Sequence, residues 1–228
     1  MAFLLNDNPP WPKDFDKRTR DIVEKTMRGK AGAAGEQAGA DARPESKCFL
    51  LLTSAAGEAI TGEALGNEVH NEAAKDLIRI ASWNWGLGVS AEHLQGESYS
   101  RGPASPEQFS FKHSMDVSTT TLLAYLSAGT KFHSMKFKEF RSTSKESGGQ
   151  FELSVLIELT DVFVTSVKID NAGQAVPNLD INLMFDSIAF EYYPFSAEGV
   201  RQGGPPRRYQ WKPQISTVLL NGRPFEPD

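Results

Sequence analysis

Phe151-Glu-Leu-Ser-Val-Leu-Ile-Glu-Leu159 is the stretch on which the fold turns. Phe151, Leu153, Val155, Ile157 and Leu159 alternate with Glu152, Ser154 and Glu158, the two-residue period of a strand with one buried and one wet face. Phe109, Phe111, His113 and Met115 alternate with Ser110, Lys112 and Ser114 in the same way, and Leu77, Ala81, Trp83, Trp85 and Leu87 read as one face of another strand. Segments 47–53, 131–141, 162–169 and 179–193 bring the set to about seven strands. In the last segment the apolar phase runs through Ile181, Leu183 and Phe185 and resumes at Ile188, Phe190 and Tyr192. That change of parity predicts a bulge or bend near Asp186-Ser187.

One helix interrupts the strands. Asp116 or Ser118 can cap a run from Thr119 onward, Leu122, Leu123 and Leu126 form its apolar stripe, and Gly129 stands where a C′ glycine belongs. Many short strands with turns marked by Gly, Asn and Ser point to a closed or nearly closed antiparallel barrel, or a sandwich. Segment 162–169 is apolar on both sides, with Phe163, Val167 and Ile169 on one and Val162 and Val164 on the other. That exceeds the need of a half-solvated strand and suits contact with another subunit. The longest stretch read as structureless is 89–106, and loops of that length within compact domains are commonly functional.

Around this β zone, placed at 47–194, lie two appendages. Residues 1–46 are an N-terminal extension holding Pro9, Pro10, Pro12, a charged stretch and an Ala/Gly-rich linker. Phe15, Ile22, Val23 and Met27 suit one narrow helical stripe, and with Trp11 they form a candidate docking segment comprising Trp11, Phe15, Ile22 and Met27. Residues 195–228 are a Gly/Pro-rich tail in which 208–211 and 216–220 can add an edge strand or a docking segment.

The 228 residues carry 24 Lys+Arg against 29 Asp+Glu, a formal charge of −5. An acidic balance argues against a nucleic-acid partner, which calls for a basic excess or stripe. A single Cys excludes an internal disulfide. The longest fully apolar run, 48–52, falls far short of the roughly 20 residues that cross a bilayer, so no membrane insertion is expected. Ala2-Phe-Leu-Leu5 before Asn6 and Asp7 lacks the basic start and long apolar core of a Sec signal.

Reactive chemistry is absent from the pattern. Gly86-Leu-Gly88-Val-Ser-Ala91 matches the Gly-x-Gly-x-x-Ala form of a dinucleotide fingerprint, but no amphipathic helix comes after it, and a twisted strand end is the better reading. His70, His93, His113 and His133 lack zinc-chelating spacing, and His113 reads as a satisfied core or interface histidine. Cys48, beside Phe49 and Leu50, reads as an inert buried thiol, and Glu152 and Glu158 as solvated charges. No catalytic, cofactor-binding or metal residues are assigned, and no enzyme is expected.

The order of features resembles the haemolysin-coregulated protein (Hcp) family. The resemblance is carried by the first strand at Cys48-Phe-Leu, by Ile80-Ala-Ser-Trp-Asn-Trp-Gly86 and the long loop after it, and by Phe109-Ser-Phe-Lys-His-Ser-Met-Asp-Val-Ser-Thr119 leading to Leu122-Leu123. Leu179-Asp-Ile-Asn-Leu-Met-Phe-Asp-Ser-Ile-Ala-Phe-Glu-Tyr-Tyr-Pro194 is similar to the family's last long strand, and Tyr209-Gln-Trp-Lys212 to its short aromatic tail. The resemblance covers about residues 47–212 and implies a two-sheet antiparallel β-barrel with one flanking helix. It also implies homo-hexameric rings stacking into the inner tube of the type VI secretion system. The expected partners are a contractile sheath, spike and baseplate proteins, and effectors in the lumen; assembly is expected in the bacterial cytoplasm, with export through that system. In the family the long loop reaches the adjacent ring, which assigns inter-ring contact to His93, Leu94, Tyr99 and Arg101. A soluble β-barrel carrier is the alternative; it would need an interior cavity, whereas the inward faces read as filled with Phe, Leu, Ile and Val.

Overall fold

Strand β9 (Phe151–Asp170) takes in both the opening stretch and the segment 162–169 that the sequence reads as a separate strand. The structure is a computed structural model, describing residues 45–69, 73–93, 99–143, 150–212 and 217–224. The two readings merge because Asp161 adopts φ 49°, and across that residue the buried set passes from Val155, Ile157 and Leu159 to Val162 and Val164. β8 (Phe132–Ser142) lies along one edge of β9. The other edge is shared by β11 (Ser187–Tyr192), opposite residues 155–160, and β10 (Asn178–Met184), opposite residues 163–170.

Neighbouring strands change phase at the same level. Buried residues run Phe132, then Met135 and Phe137 in β8, and Ile181 and Leu183, then Ile188, across β10 and β11. The Asp186 N–H donates to Thr160 O at 3.0 Å, and the Thr160 and Ser187 hydroxyls meet at 2.6 Å. The bend expected near Asp186-Ser187 is therefore present, as the break between β10 and β11, and it belongs to a crease running through the sheet.

β1 (Ser46–Thr53) pairs with β8 on one edge and with β2 (Ala59–Ile60) and β3 (Ile78–Ile80) on the other. β7 (Phe109–Ser114) lies between β10 and β4 (Ser82–Asn84). Beyond β11 come β12 (Arg207–Lys212), β13 (Thr217–Leu220) and β14 (Arg223–Pro224), each paired with the strand before it. All the described ladders are antiparallel. Among the described residues the chain is thus mainly β with one α-helix, in antiparallel sheets, as the sequence led one to expect of this zone.

Three readings need correction. Segment 89–106 is not structureless: β5 (Leu87–His93) and β6 (Tyr99–Pro106) pair as a separate two-stranded sheet. β5 alternates Leu87, Val89 and Ala91 with Gly88, Ser90 and Glu92, but its partner β6, Tyr99-Ser-Arg-Gly-Pro-Ala-Ser-Pro106, has no such pattern by which a half-buried strand is recognised. Segment 77–87 is not one strand of one phase. It breaks at Ala81, whose N–H turns to Lys112 O at 2.8 Å, and the inward residues before the break are Ile78 and Ile80. Finally, Val167 and Ile169 do not lie with Phe163. A bulge sets Leu183 opposite Val164 but Asn182 opposite Ser166, so Val167 and Ile169 fall opposite the buried Ile181 and Leu179. Phe163 pairs with Met184 on the outward side.

The main core gathers Leu50, Leu52, Phe109, Phe111, Phe137 and Ile157 with their neighbours, all but fully buried. Burial of side chains this size contributes about 1.5–3 kcal/mol each. A second cluster, with Phe49, Leu77 and Phe140 at its centre, lies under the connection from β2 to β3. That connection is tied by Gly62 N–H to Asp76 O at 2.8 Å and Ala64 N–H to Leu77 O at 3.1 Å. Gly62 is required there, since a Cβ would stand 2.4 Å from Leu77 O. The helix α1 (Ser118–Ala128) starts where the Asp116 carboxylate accepts the Ser118 N–H at 2.9 Å and stops at Gly129, φ 60°. Leu122 enters the core and Tyr125 stacks on Phe132 with centroids 3.9 Å apart.

Candidate functional site

Cys48 is buried in β1, and burial, helped by the Glu139 carboxylate, pushes its thiol up to about 12. Such a group holds its proton and is no nucleophile at neutral pH. Gly86 and Gly88 lead into β5 rather than a helix, and a Cβ on Gly86 would stand 2.5 Å from the Glu107 carboxylate. A pyrophosphate finds no helix N-terminus there, and the Glu107 carboxylate beside Gly86 would repel it. Glu158 pairs with Lys136 at 2.8 Å and Glu152 with Arg201 at 4.0 Å, half-exposed pairs across the sheet surface. Among the described residues no group of three or more His, Cys, Asp or Glu could hold a metal ion.

His113 departs from its reading in one respect. It is a core residue, 1% exposed beside the Phe111 ring, but neither ring nitrogen has a hydrogen-bonding partner among the described residues. It is therefore buried without being satisfied, because the strand alternation that turns it inward offers it apolar neighbours.

Sequence reasoning missed a second polar site. Glu191, 7% exposed, accepts from Arg208 Nε at 2.8 Å, from Arg208 Nη2, and from the Tyr193 hydroxyl at 2.9 Å. Arg201 lies over the Tyr193 ring, 4.6 Å from its centroid. Burial, then the Glu191 carboxylate, pushes the Tyr193 hydroxyl up. The signal was the register that sets Glu191 opposite Arg208, which only the β11–β12 pairing reveals. This cluster fastens the 194–206 connection to the sheet.

What remains for function is surface. Phe163 (38% exposed) and Met184 (54% exposed) stand side by side on the outward face of β9 and β10. Next to them a groove of about 530 Å³ is lined by Asn84, Glu107, Gln108, Ser110, Met184 and Phe185, at the root of the β5–β6 hairpin. Leu87 and Val89, both exposed, begin that hairpin. A second groove, about 370 Å³, lies over β9, β11, β12 and β13 between Glu158, Ala189, Gln210, Lys212 and Leu219. Of the expected inter-ring residues, the hairpin sets His93 opposite Tyr99 and Ala91 opposite Arg101. Leu94, Trp11, Phe15, Ile22 and Met27 lie outside the described residues.

The described residues thus form a mainly β scaffold with a filled core, a separate hairpin and apolar side chains on its outer face. Residues 54–192 match the family described as "Type VI secretion system effector, Hcp", and the chain belongs to that family. It is also similar to protein hcp1 of Pseudomonas aeruginosa, 29% identical over 109 residues, which are 46% of this chain and 62% of that protein. The match thus spans less than two thirds of the relative's length. Among solved structures, a type six secretion system protein aligns with TM-score 0.62 and 18% identity over 77% of this chain and 100% of its own. Hcp1 from Salmonella typhimurium aligns with TM-score 0.54 and 16% identity over 76% of this chain and 99% of its own. At these identities the structural likeness speaks for the fold. Hcp is a type VI secretion tube protein family, not an enzyme family. Among the described residues no helix is long and apolar enough to cross a membrane.

Proposed function

We propose that the chain is a structural subunit of the type VI secretion inner tube, closing into six-membered rings that stack and travel with their cargo. The observation that carries this reading is the Phe163–Met184 pair on the outward face of a scaffold whose core is already filled. Exposed apolar side chains beside a groove favour a protein contact, and a ring needs two different faces that meet head to tail. The β5–β6 hairpin supplies a further projection: an isolated two-stranded sheet is marginal in water and gains from packing on a neighbour. Closure of the sheets into a barrel is supported by a circuit of pairings running β1, β8, β9, β10, β7, β4, with β3 returning to β1 across Ala81. Propulsion by a contractile sheath, contact with spike and baseplate, and effectors in the lumen follow from the family. So do assembly in the cytoplasm and export through the same machine. The N-terminal stripe of Trp11, Phe15, Ile22 and Met27 docks on another subunit or component of that machine.

Mass measurement under native conditions tests the ring. The expected particle is about six times 25.1 kDa and annular in negative stain. A monomer that takes up a small apolar ligand would return the carrier reading, against which the filling of the core by Phe109, Phe111, Phe137 and their neighbours already weighs.

A further inference from the structure

We propose that His113 makes the corner between β7 and α1 an acid-labile latch, closed while the imidazole is neutral and released when it takes up a proton. The ring is 1% exposed, and neither nitrogen has a hydrogen-bonding partner among the described residues. An imidazolium formed in place would be a buried charge with two donors, favoured by the Asp116 carboxylate and the Ser114 backbone but set against its burial, which is costly unless the group is exposed. Three residues on, the chain turns into α1, held by Asp116, whose carboxylate accepts the Ser118 N–H at 2.9 Å and the Ser118 hydroxyl.

Asp116 is the charged group that acts on the imidazole. Of the others on the packed elements, Lys112 of β7 pairs with Asp180 of β10 at 3.8 Å, Arg79 of β3 pairs with Glu68, and Glu63, from the connection between β2 and β3, accepts the Val117 N–H at 3.2 Å at the same corner. α1 itself carries no Asp, Glu, Lys, Arg or His, and the segment before β10 contributes the Pro177 carbonyl, which accepts the Met115 N–H at 2.9 Å. Compensation of an imidazolium thus falls to Asp116, and Asp116 cannot turn toward the ring without loosening the cap it makes. Protonation and the start of the helix are coupled through the Asp116 carboxylate, while Glu63 holds the neighbouring Val117 N–H. Burial, outweighing Asp116, holds the His113 imidazole below the ordinary histidine range. A histidine so depressed contributes stability that is fully present above its unfolded value, near 6.5, and is lost as pH falls below it.

The test uses the full chain, tracking the His113 imidazole by NMR between pH 7.5 and 5.0 and the amide exchange of Ser118, Thr119 and Leu122 over the same range, corrected for the intrinsic pH dependence of exchange. Expected are a native midpoint below 6.5 and exchange at the helix start about tenfold faster at pH 5.5 than at 7.5. In His113→Phe and His113→Gln the acceleration should fall below about twofold, leaving only the contribution of the other histidines. A native midpoint at or above 6.5 overturns the latch, as does an undiminished acceleration in the variants. Should neither variant fold, the titration of the unaltered chain decides alone.

Discussion

Glu191 shows how unequal the two partners of one ion pair can be. Its carboxylate is buried, while the side chain of Arg208 is 45% exposed. Removing the arginine strands a buried acceptor; removing the carboxylate leaves a guanidinium that water can reach. Arg208→Ala should therefore cost about 2–3 kcal/mol and Glu191→Gln about 1 kcal/mol in urea-induced unfolding at pH 7. Equal costs would contradict the asymmetry of burial. Cys48 gives a second expectation at this scale. With its thiol pushed up to about 12 and packed in β1, it should resist iodoacetamide at pH 8 in the folded chain and react once urea unfolds it. Mass spectrometry reads the adduct directly. The inert thiol was legible in the sequence, because Cys48 sits in an apolar run, whereas the Glu191 cluster was not, because its partner is 17 residues away.

At the scale of elements, α1 was readable from end to end. Asp116 and Gly129 mark its limits by local chemistry: a carboxylate that replaces a missing hydrogen bond and a glycine that tolerates φ 60°. Asp116→Ala and Gly129→Ala should each lower stability by about 1 kcal/mol, measured by thermal or urea unfolding. Strand phase was less readable. Alternation marks a face only until a residue such as Asp161, or the bulge before Ser166, shifts the count. That is why Val167 and Ile169 were assigned to the wrong side. The β5–β6 hairpin escaped notice because only β5 carries an apolar alternation, at Leu87, Val89 and Ala91, while β6 has none to announce a partner strand. Replacing Tyr99 and Arg101 together by alanine should abolish stacking into tubes while six-membered rings persist, as seen by negative stain. Unchanged tubes would remove the hairpin from the inter-ring contact.

For the whole molecule, charge is divided by zone: residues 48–194 carry 10 Lys+Arg against 18 Asp+Glu, and residues 1–47 carry 9 against 8. In the ring proposed above, such subunits would concentrate negative charge, which repels acidic cargo or draws in basic segments of neighbours. Removal of residues 1–45 should leave a soluble chain with β-type circular dichroism, since β1 begins at Ser46 and, among the described residues, the two buried clusters draw their side chains from residues 48 onward. Loss of solubility or of the β spectrum would make the extension part of the folding unit.

The sequence by itself determined that the described part of the chain is mainly β with a helix capped at Asp116 and Gly129 and, through the order of its motifs, which family it resembles. These are local properties: period, capping chemistry and spacing are written along the chain. The tertiary structure alone decided that β9 is continuous through Asp161, that Phe163 and Met184 stand together on the outside, that Glu191 meets Arg208, and that His113 is enclosed without a partner among the described residues. Each depends on which strand lies beside which and in what register, and a shift of one residue carries every side chain beyond it to the other face.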